Sequence, residues 1–338
     1  YGFFMAIKDR KLDHLKIALN KDVQFHEKTT WLEKVLLEYR CLPEIDLSDI
    51  CLETGFLGNK LEAPIIVSGM VGGIAEAKKI NKDIAKACQS LGVGFGIGSQ
   101  RAMLEDPTLT ETYYVRDVAP NIFLAGNIGA AQLKDYSTEQ IEQALESIGA
   151  DALAIHLNAA QEAIQRDGTP NFKGCLKEIA RVAKELSKPV YVKEVGHGIS
   201  FSVAKELAKT NIKAIDVQGA GGTSWVAIEA LRSKNGFGKT FWDFGIPTAS
   251  SIAECRKAFK GPIIASGGIR SGLDAVRAFV LGADLIGIAL PVLKAQQRAG
   301  SKGVQEYLRR IIEEMRIALF LIGAKTPKEA LGRGRLSL

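Results

Sequence analysis

Three features are scarce in this 338-residue chain, and each scarcity closes off a class of function. Cysteine is the first. Cys41, Cys51, Cys88, Cys175 and Cys255 are scattered, odd in number and never at CxxC spacing. That pattern excludes a disulfide framework and a thiolate zinc site, and it points to a reducing, cytoplasmic compartment. Long apolar runs are the second. None approaches the roughly 20 residues that cross a bilayer, so no membrane partner is expected. Charge of one sign is the third. The 44 Lys+Arg against 38 Asp+Glu leave a net +6, and the basic residues are dispersed. A nucleic-acid binder would gather them in a stripe with aromatics, so no nucleic-acid partner is expected. A mildly positive surface does suit a small anionic ligand.

A low-complexity linker is also missing. Length alone suggests two domains, but α/β barrels commonly exceed 250 residues as one unit. One domain is expected over 8–330, with 8–60 as an N-terminal extension and 61–295 as its core. Residues 1–7 (YGFFMAI) are set aside as a flexible, processed or expression-derived start, with Met5 the candidate initiator. FFMAI is too short for a signal-peptide core.

What is present is a repeat. Short β-rich runs recur at intervals of roughly 20 to 50 residues: APIIVSGMVGG, VGFGIGSQR, NIFLAGNIG, ALAIHLN, PVYVKEVGHG, AIDVQGAGG, PIIASGGIRSG and ADLIGIALP. Helical periodicity fills the segments between, as in AKKINKDIAKACQSLG and CLKEIARVAKELS. Strands this apolar are buried on both faces, which predicts a parallel sheet. Eight strand–helix units predict an α/β fold of the (β/α)8 barrel type rather than an open doubly wound sheet. GFGIGSQ and GAGGTS fall on the second and sixth units, where a dinucleotide fingerprint would not. Upstream, RKLDHLKIAL and TTWLEKVLLEY read as helices, and ICLETGFLGNKLEAP as a strand or hairpin. SKNGFGKTFWDFGIPTAS reads as a long loop, a candidate mobile lid. YLRRIIEEMRIALFLIGA reads as a terminal amphipathic helix.

Barrel sites form at the C-terminal strand ends. The seventh and eighth ends carry SGGIRSG and GIAL, glycine-rich turns that let backbone N–H groups close on a phosphate, with the SGLDAVRAF helix dipole behind them. Lys193 stands in the otherwise apolar strand VYVKEVG; a buried lysine there needs an anion or an electron-rich ring. HLNAAQEAIQ, at the fourth strand end, brings His156, Asn158, Gln161 and Glu162 together with no Ser or Cys nucleophile. Neutral amides orient a ligand but are poor acids and bases. Glu162 could take a hard cation such as Mg2+ beside substrate phosphates, or serve as a solvated helix-start carboxylate. Arg10, Lys11, His14 and Arg101 are candidates for an anionic substrate group.

Assembled in order, RKLDH, SGMVGG, GSQR, GNIGA, HLNAAQEAIQ, VKEVGHGIS, DVQGAGGTSW, IPTASSI and SGGIRSGLDA resemble type 2 isopentenyl diphosphate isomerase, from about Arg10 to Gly323. The resemblance implies isopentenyl and dimethylallyl diphosphate as substrates, with FMN, Mg2+ and NAD(P)H or another reductant. It also implies reduced flavin as the acid and base, and a homotetramer or homo-octamer. Carried onto this chain, Met70, Val71, Gly72, Ser99, Asn127, Lys193 and Thr223 would contact FMN, and Gly268, Ile269, Arg270, Ala289 and Leu290 its phosphate end. Arg10, Lys11, His14, Ser99, Gln100, Arg101, His156, Asn158 and Gln161 would hold substrate, the last three as the catalytic residues, and Glu162 would bind Mg2+. The chain departs from the family pattern at Val71, commonly Thr, in a short 233–245 loop and in a shorter C-terminal segment.

Two other readings compete. A hydroxy-acid oxidase would want a His followed closely by Arg at a strand end, and VKEVGHGIS offers His197 without it. An IMP-dehydrogenase type would want a nucleophilic Cys after the sixth strand, and GAGGTSW has none. A barrel that binds flavin or phosphate without turnover is the non-enzymatic alternative.

Overall fold

The computed structural model describes residues 2–166, 168–233 and 236–337, with side chains from residue 9 onward. Eight parallel strands close into a barrel: β1 (Ile65–Val67), β2 (Gly94–Gly96), β3 (Leu124–Gly129), β4 (Ala152–His156), β5 (Val190–Lys193), β6 (Ala214–Asp216), β7 (Ile263–Ser266) and β8 (Leu285–Ile288). β8 pairs with β1, which seals the ring. Every residue of these strands is buried except His156 at the end of β4. That is why their sequences run apolar without alternation. The (β/α)8 expectation is met strand for strand.

The ICLETGFLGNKLEAP segment folds as a hairpin, Thr54–Phe56 against Asn59–Leu61. It plugs the N-terminal end of the barrel. Phe56 and Leu61 pack among residues at or near the strand beginnings, Phe123, Ala152, Ala214 and Leu285. The Phe56 ring lies 5.1 Å from Phe123 and 6.1 Å from Tyr191. With that end closed by side chains, the opposite end is left for a ligand.

Several segments differ in detail from the sequence reading. TTWLEKVLLEY is not a helix. After one 3-10 turn (Leu32–Lys34), Val35–Leu37 becomes a strand antiparallel to Gly334–Leu336. Glu38 N–H donates to Arg333 and Ser337 N–H to Lys34, extending the pairing. A partner some 300 positions away overrides local helical spacing. Helix α1 spans Gly2–Asn20 and takes in the RKLDHLKIAL segment read as a helix. The expected loop after β6 contains a short helix, Phe237–Phe241, while 234–235 lie outside the described residues. The terminal helix is the second half of Leu290–Leu321, which breaks at Ala299–Gly300 where φ/ψ leave the helical region.

Three further helices place the site. α2 (Ala159–Ile164) follows β4, α3 (Trp225–Ser233) follows β6, and α4 (Gly272–Val280) follows β7. α4 starts on a capping box: Ser271 Oγ accepts from Asp274 N–H, and the Asp274 carboxylate accepts from Ser271 N–H.

Candidate active site

The strand ends open into a deep cavity, and α1 lies along its rim. Of the residues that the family resemblance assigns to substrate, cofactor or cation, all but Gln100 and Ile269 line it. Gln100 is fully buried behind the cavity lining, where it donates to the Ala144 carbonyl (3.0 Å), accepts from Asn127 N–H (3.0 Å) and so braces the barrel wall. Ile269 is likewise packed in the core, 1% exposed, so its side chain does not reach the cavity.

At the β7 end, Gly267 and Gly268 take φ of +100° and +77°. A Cβ on Gly267 would fall on the Gly219 carbonyl, and one on Gly268 on the Thr30 methyl and the Gly221 carbonyl. Only glycine fits, for backbone conformation and for space. Among the described residues neither N–H finds an acceptor in the protein. Arg270 stands beside them, donating to Gln24 Oε1 (2.9 Å) and to the Ile269 carbonyl (3.1 Å). Burial lowers its pKa, with Tyr307 and Asp274 opposing. Ala289 and Leu290 complete this end at the start of the helix after β8. Two unengaged amides, a guanidinium and a helix start are a donor set that fits a phosphate.

Lys193 ends β5, 6% exposed. Among the described residues its ammonium donates once, to the Glu194 carbonyl at 2.9 Å, leaving donors over for a ligand. Asp216 sits opposite it in register on β6 and accepts from Gln218 Nε2 (2.9 Å) and from the Ser266 hydroxyl. Burial pulls Lys193 down and pushes Asp216 up, while their mutual attraction opposes both shifts. Gln218 holds a left-handed φ of +40°, uncommon for a side chain of its size, and also reaches Ser68 Oγ (3.3 Å). An under-used buried cation on the wall fits an electron-rich ring that gains negative charge.

Asn127, ending toward the same cavity, donates to the Ile97 carbonyl (3.1 Å), so its Oδ1 is free to accept from His156 Nδ1 (2.8 Å). Burial, then the charges of Lys193 and Lys11, lower His156 to about 3. The imidazole is therefore neutral, with its proton on Nδ1 and none on Nε2. Asn158 donates to Glu162 Oε1 (3.0 Å) and Gln161 Oε1 (3.3 Å). Its own Oδ1 is buried without a partner among the described residues. Glu162 Oε2 accepts from Thr169 N–H (2.8 Å). No group of three His, Cys, Asp or Glu converges among the described residues. A cation here would rest on the single Glu162 carboxylate, neighbouring amide oxygen and the ligand's own oxygens, which is the Mg2+ pattern.

The N-terminal helix contributes more than a solvated basic pair. Lys11 Nζ donates to the carbonyls of Gly72 (2.7 Å) and Ser99 (3.2 Å) and to Tyr113 Oη (3.1 Å). Burial and the nearby Arg10 bring it down to about 7. The Tyr113 phenol, pushed up by burial, stays neutral and donates to the Ser99 carbonyl (2.8 Å). Lys11 thus ties α1 to the loops after β1 and β2, where Met70 and Val71 also face the cavity. Val71 brings no hydroxyl, although its carbonyl accepts from Gly98 N–H (3.2 Å). Arg101 donates to Glu105 (3.0 Å). His14 Nε2 lies 2.7 Å from Glu229 Oε1, and its ring meets Trp225 edge-on at 5.3 Å. Thr223 lines the cavity at the start of the turn into α3.

Sequence reasoning missed Glu229, Gln165, Tyr113 and Gln132. Glu229 is fully buried, and Arg232 Nε (2.9 Å) and Gln161 Nε2 (3.3 Å) also donate to it. Burial opposes its ionisation, but His14 and Arg232 outweigh that, and its pKa is lowered. Gln165 had a signal: it lies one helical turn beyond Gln161 in HLNAAQEAIQ. His197, the base a hydroxy-acid oxidase would use, is buried outside the cavity wall with Nδ1 2.7 Å from the Phe244 carbonyl.

Known proteins resemble this chain over most of its length. The sequence signature of the FMN-dependent dehydrogenase family matches residues 138–335. The isopentenyl-diphosphate delta-isomerase of Pyrococcus abyssi is 45% identical over 332 residues, covering 95% of this chain and 90% of that protein. The enzyme of the same name from Deinococcus radiodurans is 44% identical over 329 residues, covering 96% and 97%. Among solved structures, the flavin-binding domain of baker's yeast flavocytochrome b2 superposes with a TM-score of 0.69 at 18% identity, over 93% of this chain and 78% of that one. A mandelate oxidase superposes at 0.66 with 17% identity, over 99% of both. At such identities these two structures bear on the fold alone.

Proposed function

This chain belongs to the isopentenyl-diphosphate delta-isomerase family, and from that membership we propose that it interconverts isopentenyl and dimethylallyl diphosphate by a 1,3-allylic proton shift, with FMN as cofactor and Mg2+ on the diphosphate. Reduced FMN, when bound, supplies the acid and the base for the two substrate carbons.

One observation carries the reading: a single cavity holds two separate anion-receiving groups. One is the Gly267–Gly268 turn with Arg270; the other is Arg10, Lys11 and Arg101 at the α1 rim. The first group sits at the end of β7 and the second on α1 and just after β2, so they occupy different parts of the wall. A flavin phosphate suits the first and a substrate diphosphate the second. Lys193 lies in the wall of the same cavity.

The protein's own residues then position and exclude. Arg10, Lys11 and Arg101 hold the diphosphate, and Glu162 holds the cation beside it. Asn127 fixes the tautomer of His156. Asn158 and Gln161 set the substrate's angle; as neutral amides they orient it and do not titrate. Trp225, Ile228, Leu15 and Ala18 give the cavity an apolar side that keeps water from the hydrocarbon tail. Holding an unreactive alkene against the ring in one orientation is the protein's main contribution. The same reading takes NAD(P)H as the reductant and a homotetramer or homo-octamer in the cytoplasm as the working form. No helix among the described residues is long and apolar enough to cross a membrane.

The test is turnover of isopentenyl diphosphate by the reduced, FMN-loaded protein with Mg2+, run beside lactate and glycolate oxidation. The reading expects dimethylallyl diphosphate and no oxidation of either hydroxy acid. Oxidation without isomerisation would overturn it.

A further inference from the structure

We infer that Gln165 is a positioning residue for Arg10, a neutral amide set between that guanidinium and the buried carboxylate of Glu229. This rests on the reading of Arg10 as a diphosphate ligand. Gln165 closes α2, where its N–H caps the Gln161 carbonyl at 2.9 Å, and it is 8% exposed in the cavity wall. With its amide oriented to satisfy both neighbours, the nitrogen donates to Glu229 Oε1 at 2.9 Å and the oxygen accepts from Arg10 Nη1 at 3.2 Å.

The chemistry explains why an amide suits this place. Arg10 stands among Arg101 and Arg232, which repel it, and Glu162 and Glu229, which attract it. Something must hold it against that competition. A carboxylate in direct contact would do so by forming an ion pair, and an arriving diphosphate would have to break that pair. The structure avoids this. Among the described residues Arg10 forms no ion pair within 4.0 Å, and Gln165 is its hydrogen-bond partner. An amide oxygen takes one N–H and leaves four donors and the full charge for a ligand. Glu229 in turn fixes which way the amide faces, because a carboxylate can only accept. The same carboxylate accepts from Gln161, so one buried charge on α3 orients two amides of the HLNAAQEAIQ segment and, through one of them, the guanidinium on α1.

The experiment uses the FMN-loaded enzyme and the variants Gln165→Leu, Gln165→Glu, Arg10→Ala and Gln165→Leu with Arg10→Ala. KM for isopentenyl diphosphate, kcat and the FMN dissociation constant are measured for each. Gln165→Leu is expected to raise KM roughly tenfold, as for loss of a hydrogen bond to a charged group, with FMN affinity unchanged. Gln165→Glu keeps the side-chain volume but pairs with Arg10 and faces the diphosphate with a negative charge; its KM should rise at least as far. In the Arg10→Ala background, Gln165→Leu should add nothing, because its effect runs through Arg10. An unchanged KM in Gln165→Leu while Arg10→Ala raises it overturns the inference, as does a Leu effect that persists in full without Arg10. Should the Leu variant fail to fold, an unchanged KM in Gln165→Glu overturns it equally. If Arg10→Ala itself leaves KM untouched, the assignment of Arg10 to the diphosphate falls, and the role of Gln165 falls with it.

Discussion

Replacing Lys193 with methionine removes the ammonium from the cavity wall while keeping most of the stem's volume. Lys193 is 6% exposed and spends one N–H on the Glu194 carbonyl, so the remaining donors are what a bound ring would use. A hydrogen bond from a charged donor contributes about 1.5–3 kcal/mol. At 1.4 kcal/mol per tenfold, FMN should bind on the order of ten- to a hundredfold more weakly. Reduction should suffer too, because the ammonium that would offset charge gained by the ring is gone. Stability should change little. The substitution removes a desolvated charge, and Asp216 keeps Gln218 and Ser266 as donors. With its pKa already pushed up by burial, Asp216 can take a proton once Lys193 is gone. The assay is titration of FMN into flavin-free protein, followed by quenching of flavin fluorescence, with a thermal melt of the same preparation. An FMN dissociation constant within about twofold of wild type, in protein that melts normally, would refute the contact; a twofold change is only about 0.4 kcal/mol.

Glu162→Gln should weaken Mg2+-dependent turnover while FMN stays bound, since the amide keeps the shape and loses the charge that holds a hard cation; an unchanged Mg2+ titration would count against the assignment. Lys11 supplies a pH prediction. Its folded pKa of about 7 lies below the ordinary 10.5, so between those values the unfolded chain binds more protons. The destabilisation from burying this ammonium is complete below about pH 7 and is relieved as pH rises toward 10.5. Under the proposed function, a diphosphate arriving at the α1 rim restores the charge. Binding of inorganic pyrophosphate at about pH 8, above the folded value of about 7, should therefore take up protons, by an amount that shrinks in Lys11→Ala. Calorimetry in two buffers of different ionisation enthalpy reads this, and equal proton uptake by wild type and variant would contradict it.

The barrel was legible because its strands are buried on both faces, so apolar runs punctuated by glycine stand out from the helical periodicity between them. Lys193 was legible for the same reason, as one cation in an otherwise apolar strand. Where the sequence left the placement of a side chain or segment open, the missing information was nonlocal. In GSQR the letters cannot say which neighbours face inward: Ser99 and Arg101 reach the cavity, while Gln100 turns into the wall against Ala144. Val35–Leu37 carries helical spacing but pairs with Gly334–Leu336, a partner that no window of local sequence contains. Glu229 looks like an ordinary helix acid in WVAIEALRS. Only the packing of α1 and α2 against α3 buries it and surrounds it with His14, Gln161 and Arg232. Lys11 is the converse case. An N-terminal Arg-Lys pair usually points to water, and here the fold draws the ammonium onto two carbonyls and a phenol.

The central claim is that one cavity seats FMN and an allylic diphosphate together. The most direct measurement removes FMN from the purified protein and then restores it, recording isopentenyl diphosphate turnover under reducing conditions with Mg2+ at each stage. The account predicts turnover that disappears with the flavin and returns when FMN is added back. Isomerisation that continues unchanged in flavin-free protein, or that fails to appear once FMN is bound and reduced, would contradict it.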